Sequence, residues 1–405
     1  MIKNHIVYNP AVDWRFDFAK AEDSYVWDDK GKRYIDFSSG WNTTNLGWNH
    51  PEVRDAIIEQ VKKNVYAPMW TMDPIQAEYA KALIDVFPQE LDVVGRATGG
   101  TEANEMALKI SRAVTGRKQI ISFAHTYHGQ SFGTLALGFI PDYVKAIAPL
   151  VPEFIQMEYP VTTLSHFLEK LEMHLKTEQV AAVFTEPGII TGWGSMLIAP
   201  KGYLSAVRAL TQKYGTLLVV DEIGTGFSRT GKLFAIEHDQ VVPDIVTLAK
   251  GISNGAGAMG AVVTKKKMVE NYIGLFKPTS SAGWNPLVCG AALKTLEVHQ
   301  RDKVWLEAAR KGVIVKQLLQ KELSGNPNMK NLRGWGLEIA FNISEDNRNG
   351  EDNSDLSTKI VEKCFSKGLH LADAGDAIVL MPPLTTPDTV LEEGVSILVD
   401  VIKKI

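Results

Sequence analysis

The sequence predicts an α/β fold from two kinds of segment that recur along the chain. Short, predominantly apolar runs such as 217–220 and 245–249 are typical of strands buried on both faces of a sheet. Longer segments with apolar residues at helical spacing, such as 74–87 and 103–114, predict amphipathic helices. Elements of these two kinds along one chain make up an α/β fold.

The composition limits the class of protein. The 405 residues are 45% hydrophobic and 22% charged, enough for a sizeable core, and the net charge of −4 argues against nucleic acid or an anionic membrane as the main partner. Residues 1–10 lack a continuous apolar core and 251–264 is too short to span a bilayer, so we expect neither a secretory signal nor a membrane span. Cys289 and Cys364 give no disulfide framework and are expected to be buried thiols in a reducing, cytoplasmic setting.

The first elements are expected to be a hairpin and two helices. Aromatic, strand-like pieces at 25–27 and 34–37 flank turn residues at 28–31. Pro51 suits the first position of a helix that runs to about residue 64, and a second helix starts at Pro74. From about residue 300 the pattern predicts a helix at 302–323, a strand after 333–336, a helix at 355–367, a strand at 377–381 and a helix at 387–403.

A glycine-rich segment, Thr98-Gly-Gly-Thr, opens a helix with apolar residues at helical spacing. A helix N-terminus presents unpaired N–H groups and a partial positive charge, and glycines let a phosphate approach it closely. By itself the motif is more often a simple helix cap, so both interpretations stay open at this point.

Acidic and aromatic side chains follow two further predicted strands. The strand that begins at residue 120 leads to Tyr127, whose ring can stack on a flat ligand, and the strand at 181–185 ends on Glu186. His125 and His128 resemble a metal-binding pair. Because no third ligand lies near them in the sequence and there is no cysteine cluster, we expect no metal site.

Asp221 and Lys250 each stand at the end of a predicted buried strand. A lone lysine is usually a solvated charge and a lone aspartate after a strand is usually a turn former or helix cap. Together at strand ends they fit one chemistry well. A desolvated lysine can form a Schiff base with an aldehyde, and a buried carboxylate can hold a pyridine nitrogen protonated, which is how proteins use pyridoxal phosphate (PLP).

The segments 221–232 and 243–251 resemble the class III PLP-dependent aminotransferases. These include ornithine, 4-aminobutyrate and amine transaminases and dialkylglycine decarboxylase. Asp221 and Lys250 are 29 residues apart, which matches the family pattern, and the resemblance extends from about Tyr25 to the end of the chain.

The resemblance implies a fold and an assembly. It implies a large PLP-binding domain at 51–290, with a mainly parallel sheet between helices, and a small α+β domain formed by both termini, 1–50 and 291–405. It also implies a homodimer with shared active sites, because Ser281 matches a threonine that reaches the phosphate bound by the partner subunit.

The resemblance further implies the site residues. Lys250 would be the catalytic Schiff-base lysine and Asp221 the partner of the ring nitrogen. The other cofactor-binding positions would be Gly100, Thr101, Tyr127, His128, Glu186, Ile223 and Ser281, and a substrate-binding position would be Trp41. Beside the resemblance, we expect Trp193 to add aromatic surface to the substrate pocket. For Trp41, plain core packing explains an aromatic residue equally well.

The sequence departs from the family at several of these positions. Gly99 stands where a serine is common, and Gly224 stands where a glutamine usually contacts the phenolic oxygen of the cofactor. The second glutamate of the family motif that starts at Glu186 is replaced by Thr191.

The departures bear on the substrate. Acid-handling members carry an arginine that binds the substrate carboxylate, but 370–384 contains none, and the two family positions fall on Ala372 and Val379. The glutamate that pairs with that arginine is also absent, at Thr191. We therefore expect an amine without an α-carboxylate as one substrate and a keto acid such as pyruvate or 2-oxoglutarate as the other, with Arg15 and Arg96 as candidate partners for its carboxylate.

Several alternatives remain open from the sequence. The same fold also supports PLP-dependent decarboxylation, racemisation and aminomutase chemistry. Another arginine could fold into the carboxylate site, which would make the substrate an ordinary ω-amino acid. A regulatory PLP-binding protein and a phosphate-binding α/β protein without cofactor chemistry are the remaining possibilities, and the intact pair of Asp221 and Lys250 argues against the former.

Overall fold

A computed structural model describes residues 17–138, 146–192, 196–343, 354–375 and 377–405. The strands, numbered in chain order, are β1 Phe18–Glu22, β2 Tyr25–Asp28, β3 Arg33–Asp36, β4 Val93–Ala97, β5 Gln119–Phe123, β6 Phe154–Met157, β7 Val180–Thr185, β8 Leu217–Asp221, β9 Ile245–Leu248, β10 Gly260–Thr264, β11 Lys330–Trp335, β12 Glu338–Asn342, β13 Leu369–His370, β14 Asp373–Ala374 and β15 Ala377–Leu380.

The helical segments follow the same numbering. They are α1 Ser39–Asn42, α2 Pro51–Val61, α3 Pro74–Asp85, α4 Gly100–Thr115, α5 Phe132–Leu135, α6 Ser165–Leu175, α7 Tyr203–Lys213, α8 Lys266–Val269, α9 Ile273–Phe276, α10 Pro286–Arg301, α11 Val304–Leu323, α12 Ser354–Ser366 and α13 Asp388–Ile402, with short 3₁₀ segments at Ala235–His238 and Lys250–Ser253. None of the helices in the described ranges is long and apolar enough to cross a membrane.

The central sheet is mainly parallel, as expected. Within the described residues its seven strands lie in the order β4-β10-β9-β8-β7-β5-β6. The strands from β6 to β9 pair in parallel, whereas β10 runs antiparallel to both of its neighbours. Since parallel strands end at the same edge, the residues at the ends of β7, β8 and β9 lie together at one edge of the sheet.

Both faces of this sheet are covered, which explains the uniformly apolar strands. On β8, Leu218 and Val220 lie in one buried apolar cluster, whereas Val219 lies in another. The second cluster includes Ala103 and Met106 on α4. Because successive side chains of a strand point to opposite faces, helices on both sides bury every residue of such a strand.

The smaller part of the fold is built from both ends of the chain. β13 pairs in parallel with β3, which places C-terminal residues in the same sheet as the N-terminal hairpin. A second small sheet, β11-β12-β15-β14, is antiparallel, and its residues share a buried cluster with α11, α12 and α13. The predicted fold class is thus confirmed. The domain limits stay a prediction, and the one placed at 290/291 falls within α10.

The predicted elements of the C-terminal part agree with the structure to within a few residues. The helix expected at 302–323 is α11, and the strand expected at 377–381 is β15. Both cysteines are free and buried, Cys289 on α10 and Cys364 on α12, as the sequence indicated.

Candidate active site

A cavity of about 460 Å³ lies at the edge of the central sheet where β7, β8 and β9 end. This volume is within the usual range for small-molecule sites. The lining residues are Trp41, Thr43, Thr98, Gly99, Gly100, Thr101, Tyr127, His128, Gly129, Glu186, Thr191, Gly192, Asp221, Ile223, Gly224, Ala249, Lys250, Gly257, Ala258 and Met259.

Asp221, the last residue of β8, is buried and held by three donors. Its Oδ2 accepts hydrogen bonds from Asn104 Nδ2 at 2.9 Å and from His128 Nδ1 at 2.7 Å, and its Oδ1 accepts from the backbone N–H of Ile223 at 2.9 Å. A carboxylate can only accept, so Nδ1 of His128 carries a proton. These contacts fix the carboxylate in one orientation at the cavity wall.

Asn104 is a site residue that the sequence analysis missed. It is fully buried on α4, and its Nδ2 also donates to the carbonyl of His128 at 2.8 Å. The sequence signal that could have identified Asn104 is its position next to an apolar residue of the buried helix face, Ala103. A buried polar residue needs partners, and those partners come from distant segments that no local pattern identifies.

Lys250 lies two residues after the end of β9 at Leu248 and lines the same cavity. Its φ angle of +47° is in the left-handed region, which is strained for a residue with a side chain and is frequent at functional sites. Burial lowers the pKa of Lys250, and the carboxylates around it, Glu186 first, oppose that change. A lowered pKa increases the neutral, nucleophilic fraction of the amine.

Glu186 follows β7 and is hydrogen-bonded by Thr191, the position at which the sequence departs from the family. Its Oε2 accepts from the N–H of Thr191 at 2.7 Å and from Thr191 Oγ1 at 2.8 Å. Its Oε1 is buried and has no hydrogen-bond partner within the described residues. Burial raises the pKa of Glu186 to about 7.

The two departures from the family at Thr191 and Gly224 lie against each other. A Cβ built on Gly224 would collide with the Oγ1 and Cβ atoms of Thr191. The threonine side chain therefore occupies the space that any larger residue at 224 would enter. The two departures form one local change in the cavity wall, which sequence spacing alone could not reveal.

The N-terminus of α4 opens into the cavity at Gly99 and Gly100. Gly99 provides no side-chain cap, and a Cβ built on it would meet no atom of the described residues within 4 Å. The first N–H groups of a helix lack intrahelical partners, so this end is suited to bind a phosphate. Gly100 lies close to Ile223, because a Cβ there would lie 2.7 Å from Ile223 Cδ1 and would require that side chain to shift.

Tyr127 and Ile223 both line the cavity. Tyr127 is 38% exposed, and Gly192 packs closely against it, since a Cβ on Gly192 would lie 2.6 Å from Tyr127 Cβ. The loop after β7 therefore lies directly against this tyrosine. An aromatic ring and an aliphatic side chain of this kind are suited to contact a flat ring.

Trp41 lines the cavity from the turn α1. Its Nε1 donates to the carbonyl of Thr191 at 3.2 Å. The indole also packs against a buried apolar cluster that includes Ala372, Val379 and Met381. Trp41 thus takes part both in the cavity wall and in core packing, so the structure combines the two alternatives left open by the sequence.

Of the two arginines considered for a carboxylate, Arg96 lies within the described residues and has another contact, as does Arg229, which the sequence did not single out. Ala372 and Val379 are buried in the apolar cluster beside Trp41. Arg96 donates to the carbonyl of Met69 at 3.1 Å and is outside the cavity lining. Arg229 is buried and donates to Leu337, Pro382, Ser39 and Asn45.

Besides Arg96, three predicted positions differ from those that line the cavity. Ser281 is exposed and lies outside the cavity lined by its own chain. Trp193 and Arg15 lie outside the described residues. The remaining predicted positions, Trp41, Gly100, Thr101, Tyr127, His128, Glu186, Asp221, Ile223 and Lys250, all line the one cavity.

These residues fit PLP. The uncapped N-terminus of α4 suits a phosphate, and the fixed carboxylate of Asp221 suits a protonated ring nitrogen. The lysine that lines the same cavity is able to bond to an aldehyde. No single feature is specific, but the combination within one cavity matches the parts of this cofactor.

Comparisons with known proteins agree with this fit. The model of the family "Aminotransferase class-III" matches residues 7–402. The chain is 32% identical to the acetylornithine aminotransferase of Methanopyrus kandleri over 386 residues, which covers 94% of this chain and 93% of the relative.

Solved structures show the same similarity. An (S)-enantioselective omega-transaminase from Thermomicrobium roseum is 31% identical with a TM-score of 0.87, covering 96% of this chain and 93% of that chain. A taurine:2-oxoglutarate aminotransferase from Bifidobacterium kashiwanohense, solved in complex with PLP and glutamate, is 29% identical with a TM-score of 0.89, covering 96% and 92%. The chain therefore belongs to the class III aminotransferases and is a PLP-dependent transaminase.

Proposed function

We propose that this enzyme transfers an amino group from an amine without an α-carboxylate to a keto acid such as pyruvate or 2-oxoglutarate. The observation that carries the proposal is the placement of Lys250 and Asp221 on one cavity, whose lining residue Trp41 packs against an apolar cluster that includes Ala372 and Val379. The proposed amino-group transfer depends on Lys250 and Asp221. The proposed preference for an amine without an α-carboxylate depends on the apolar cluster at Ala372 and Val379.

The chain's own residues are proposed to divide the chemistry as follows. PLP supplies an electron sink when a proton leaves the carbon that bears the amino group. Lys250 holds the cofactor when no substrate is bound and, once free, moves that proton as a base and then as an acid. Asp221, oriented by Asn104 and His128, keeps the ring nitrogen protonated. The N-terminus of α4, at Gly100 and Thr101, binds the phosphate.

The walls of the cavity are proposed to orient the ring and the substrate. Tyr127 and Ile223 contact the ring, and Glu186, whose Oε1 has no hydrogen-bond partner in the described part of the chain, provides a polar contact beside it. Trp41 contacts the substituent of the amine. Trp193 stays a proposal for added aromatic surface in the pocket, and Arg15 stays a proposal for a cation that holds the keto acid carboxylate.

We expect the enzyme to prefer 2-phenylethylamine over phenylalanine, which differs from it by the α-carboxylate. No arginine comes from the positions at Ala372 and Val379, so the carboxylate would be desolvated without a bidentate partner. The measurement is kcat/KM for both donors with pyruvate and with 2-oxoglutarate. A preference for phenylalanine above roughly 100-fold, about 2.7 kcal/mol, would overturn this assignment.

A second candidate is transamination of an ω-amino acid, and the similarity to an acetylornithine aminotransferase favours it. Under this alternative, another cation reaches the distal carboxylate. Comparing 5-aminopentanoate with 1-aminopentane separates the two, because our proposal predicts that the distal carboxylate gives no large gain in kcat/KM. Product analysis of the same reactions also separates transamination from decarboxylation, racemisation and an aminomutase step.

The enzyme is also proposed to be a homodimer with shared active sites. Ser281 lies outside its own cavity, consistent with a residue that serves the partner. The segment after α2 exposes large apolar side chains: Val65 at 51%, Tyr66 at 54%, Trp70 at 80% and Met72 at 64%. A cluster of this kind usually marks a protein interface, and a second copy of the chain is the proposed occupant.

Met72→Asp is expected to shift the protein from dimer to monomer and to reduce activity, because it places a charge in the proposed interface. Met173→Asp is the matched control, since Met173 on α6 is similarly exposed, at 69% against 64%. Sedimentation velocity gives the oligomeric state of each variant. A fully active monomer, in the wild type or in the Met72 variant, would contradict the shared site.

A cytoplasmic location is proposed from the cysteines. Cys289 and Cys364 are free and buried, with burial raising the pKa of both thiols. Thiols without a disulfide partner are typical of reducing compartments. Cell fractionation tests the location.

A further inference from the structure

The turn Ser39–Asn42 adopts a left-handed conformation over four successive residues. Their φ angles are 41° at Ser39, 57° at Gly40, 59° at Trp41 and 65° at Asn42. Only one of the four is glycine, and the left-handed region is strained for the other residue types, least so for asparagine. Strain of this kind persists only where surrounding groups hold it, and it is concentrated at functional sites.

Asp36 holds the start of this left-handed turn. The N–H groups of Ser38 and Ser39 each donate to its carboxylate at 2.9 Å. The carbonyl of Ser39 then accepts from the N–H of Thr43 at 2.9 Å and closes the turn. These contacts involve neighbouring residues and leave the far end of the turn to be held by something else.

Asn42 connects the far end to two distant segments. Its Nδ2 donates to the carbonyl of Gly224 at 3.2 Å and to Glu338 Oε2 at 2.9 Å. Gly224 lies in the cavity wall and Glu338 is the first residue of β12. One side-chain amide therefore joins the turn to the wall of the active site and to the small domain.

Arg229 compensates the charge of Glu338 and contacts the turn itself. Its Nε lies 4.0 Å from Glu338 Oε2, and both side chains are buried. Its Nη2 donates to Ser39 Oγ at 3.0 Å and to Asn45 Oδ1 at 2.8 Å. The two charges thus contact the first and last residues of the left-handed turn.

Trp41 lies between these two fixed points. Its indole lines the cavity and donates to the carbonyl of Thr191, whereas Glu338 is not among the lining residues. Glu338 thus has two routes to a bound amine: the turn, through its contact with Asn42, and its charge, which opposes the lowering of the pKa of Lys250 by burial.

We propose that Glu338, acting through its hydrogen bond from Asn42, is a positioning residue for amine binding. It holds the left-handed turn and thereby fixes the Trp41 indole in the cavity wall, which sets how tightly the enzyme binds its amine. The inference rests on the proposed function, in which Trp41 contacts the amine substituent.

The test compares variants that separate the contact to Asn42 from the charge. Glu338→Leu and Glu338→Gln both remove the charge beside Arg229, but only glutamine keeps an oxygen that accepts from Asn42. Asn42→Gly removes both hydrogen bonds of Asn42 and leaves a residue that tolerates positive φ. Asn331→Gly is the matched control, because Asn331 is an exposed asparagine with a φ of 50° on β11.

Hydrogen exchange of the peptide covering 38–45 gives the readout that does not depend on turnover. We expect Asn42→Gly and Glu338→Leu to raise its exchange rate about tenfold, with a rise of about tenfold in KM for 2-phenylethylamine and little change in kcat. Glu338→Gln is expected to stay close to wild type in exchange and KM. Thermal melting identifies any variant that fails to fold. If the Glu338 variants fail, the exchange rate and KM of Asn42→Gly decide whether the turn positions Trp41.

The outcomes separate this inference from the proposed function. Unchanged exchange at 38–45 in Asn42→Gly, or equal effects of Glu338→Leu and Glu338→Gln, would overturn the positioning role whatever the substrate. If exchange rises but neither these variants nor Trp41→Ala changes KM for the amine, the role in amine binding is overturned. If the wild type transfers no amino group from any amine, the proposed function fails, and the exchange data still decide whether Glu338 holds the turn.

Discussion

Replacing Lys250 with alanine is expected to abolish turnover, with a loss of more than about 10⁴-fold, the upper range for removing a group that transfers protons in the transition state. The substitution removes both the bond to the cofactor and the amine that moves the substrate proton. PLP should then bind without a covalent link. Denaturing this variant should therefore release the same amount of cofactor whether or not the protein was first reduced with borohydride. Steady-state kinetics and absorbance of the released cofactor check the two parts.

Lys265→Ala is the matched control. Lys265 Nζ forms an ion pair with Asp244 Oδ1 at 2.7 Å, and the residue is outside the cavity lining. We expect this variant to keep turnover of the same order as the wild type, although some stability is lost with the ion pair. Comparable losses of turnover in both variants would mean that Lys250 has no special role.

Asp221→Asn is expected to reduce kcat/KM by about 10²-fold or more while the protein stays folded. A neutral amide cannot stabilise a pyridinium. The change also disturbs the local network, because the carboxylate accepts from Asn104, His128 and Ile223, and an amide NH₂ must face one of these donors. Thermal melting separates this structural cost from the loss in rate.

The neighbouring acid provides the control for this substitution. Glu222 is buried, accepts from Thr225 Oγ1 and from the N–H of Ile236, and lies outside the cavity lining. Glu222→Gln should therefore affect stability more than rate. If Asp221→Asn keeps a rate near that of the wild type, or loses no more than Glu222→Gln, the proposed contact with the ring nitrogen is wrong.

Much of the fold follows from local patterns. The apolar runs that became β8 and β9, and the helix that begins at Gly100, were predictable because burial on both faces and helical spacing leave clear signals. The antiparallel strand β10 was not predicted, although it forms part of the central sheet. Strand direction is set by pairing with distant segments, and single-sequence patterns do not carry that information.

The candidate site was predictable where a motif places a residue at the end of a strand or helix. Asp221, Lys250 and Thr101 are such positions, and the structure places all three in one cavity, although their roles stay predictions. The contact between Thr191 and Gly224 was not predictable, and neither was the pair of Arg229 and Glu338. Each of these joins segments far apart in the sequence, and only the folded chain shows that they meet.

The most direct test of the account is to locate the lysine that bonds to the cofactor. The purified holoenzyme is reduced with borohydride, digested, and mapped by peptide mass spectrometry. We expect the reduced cofactor on the peptide containing Lys250, because Lys250 is the lysine that lines the cavity with Asp221 within the described residues. A label on another lysine, such as Lys265, with Lys250 unmodified would contradict it.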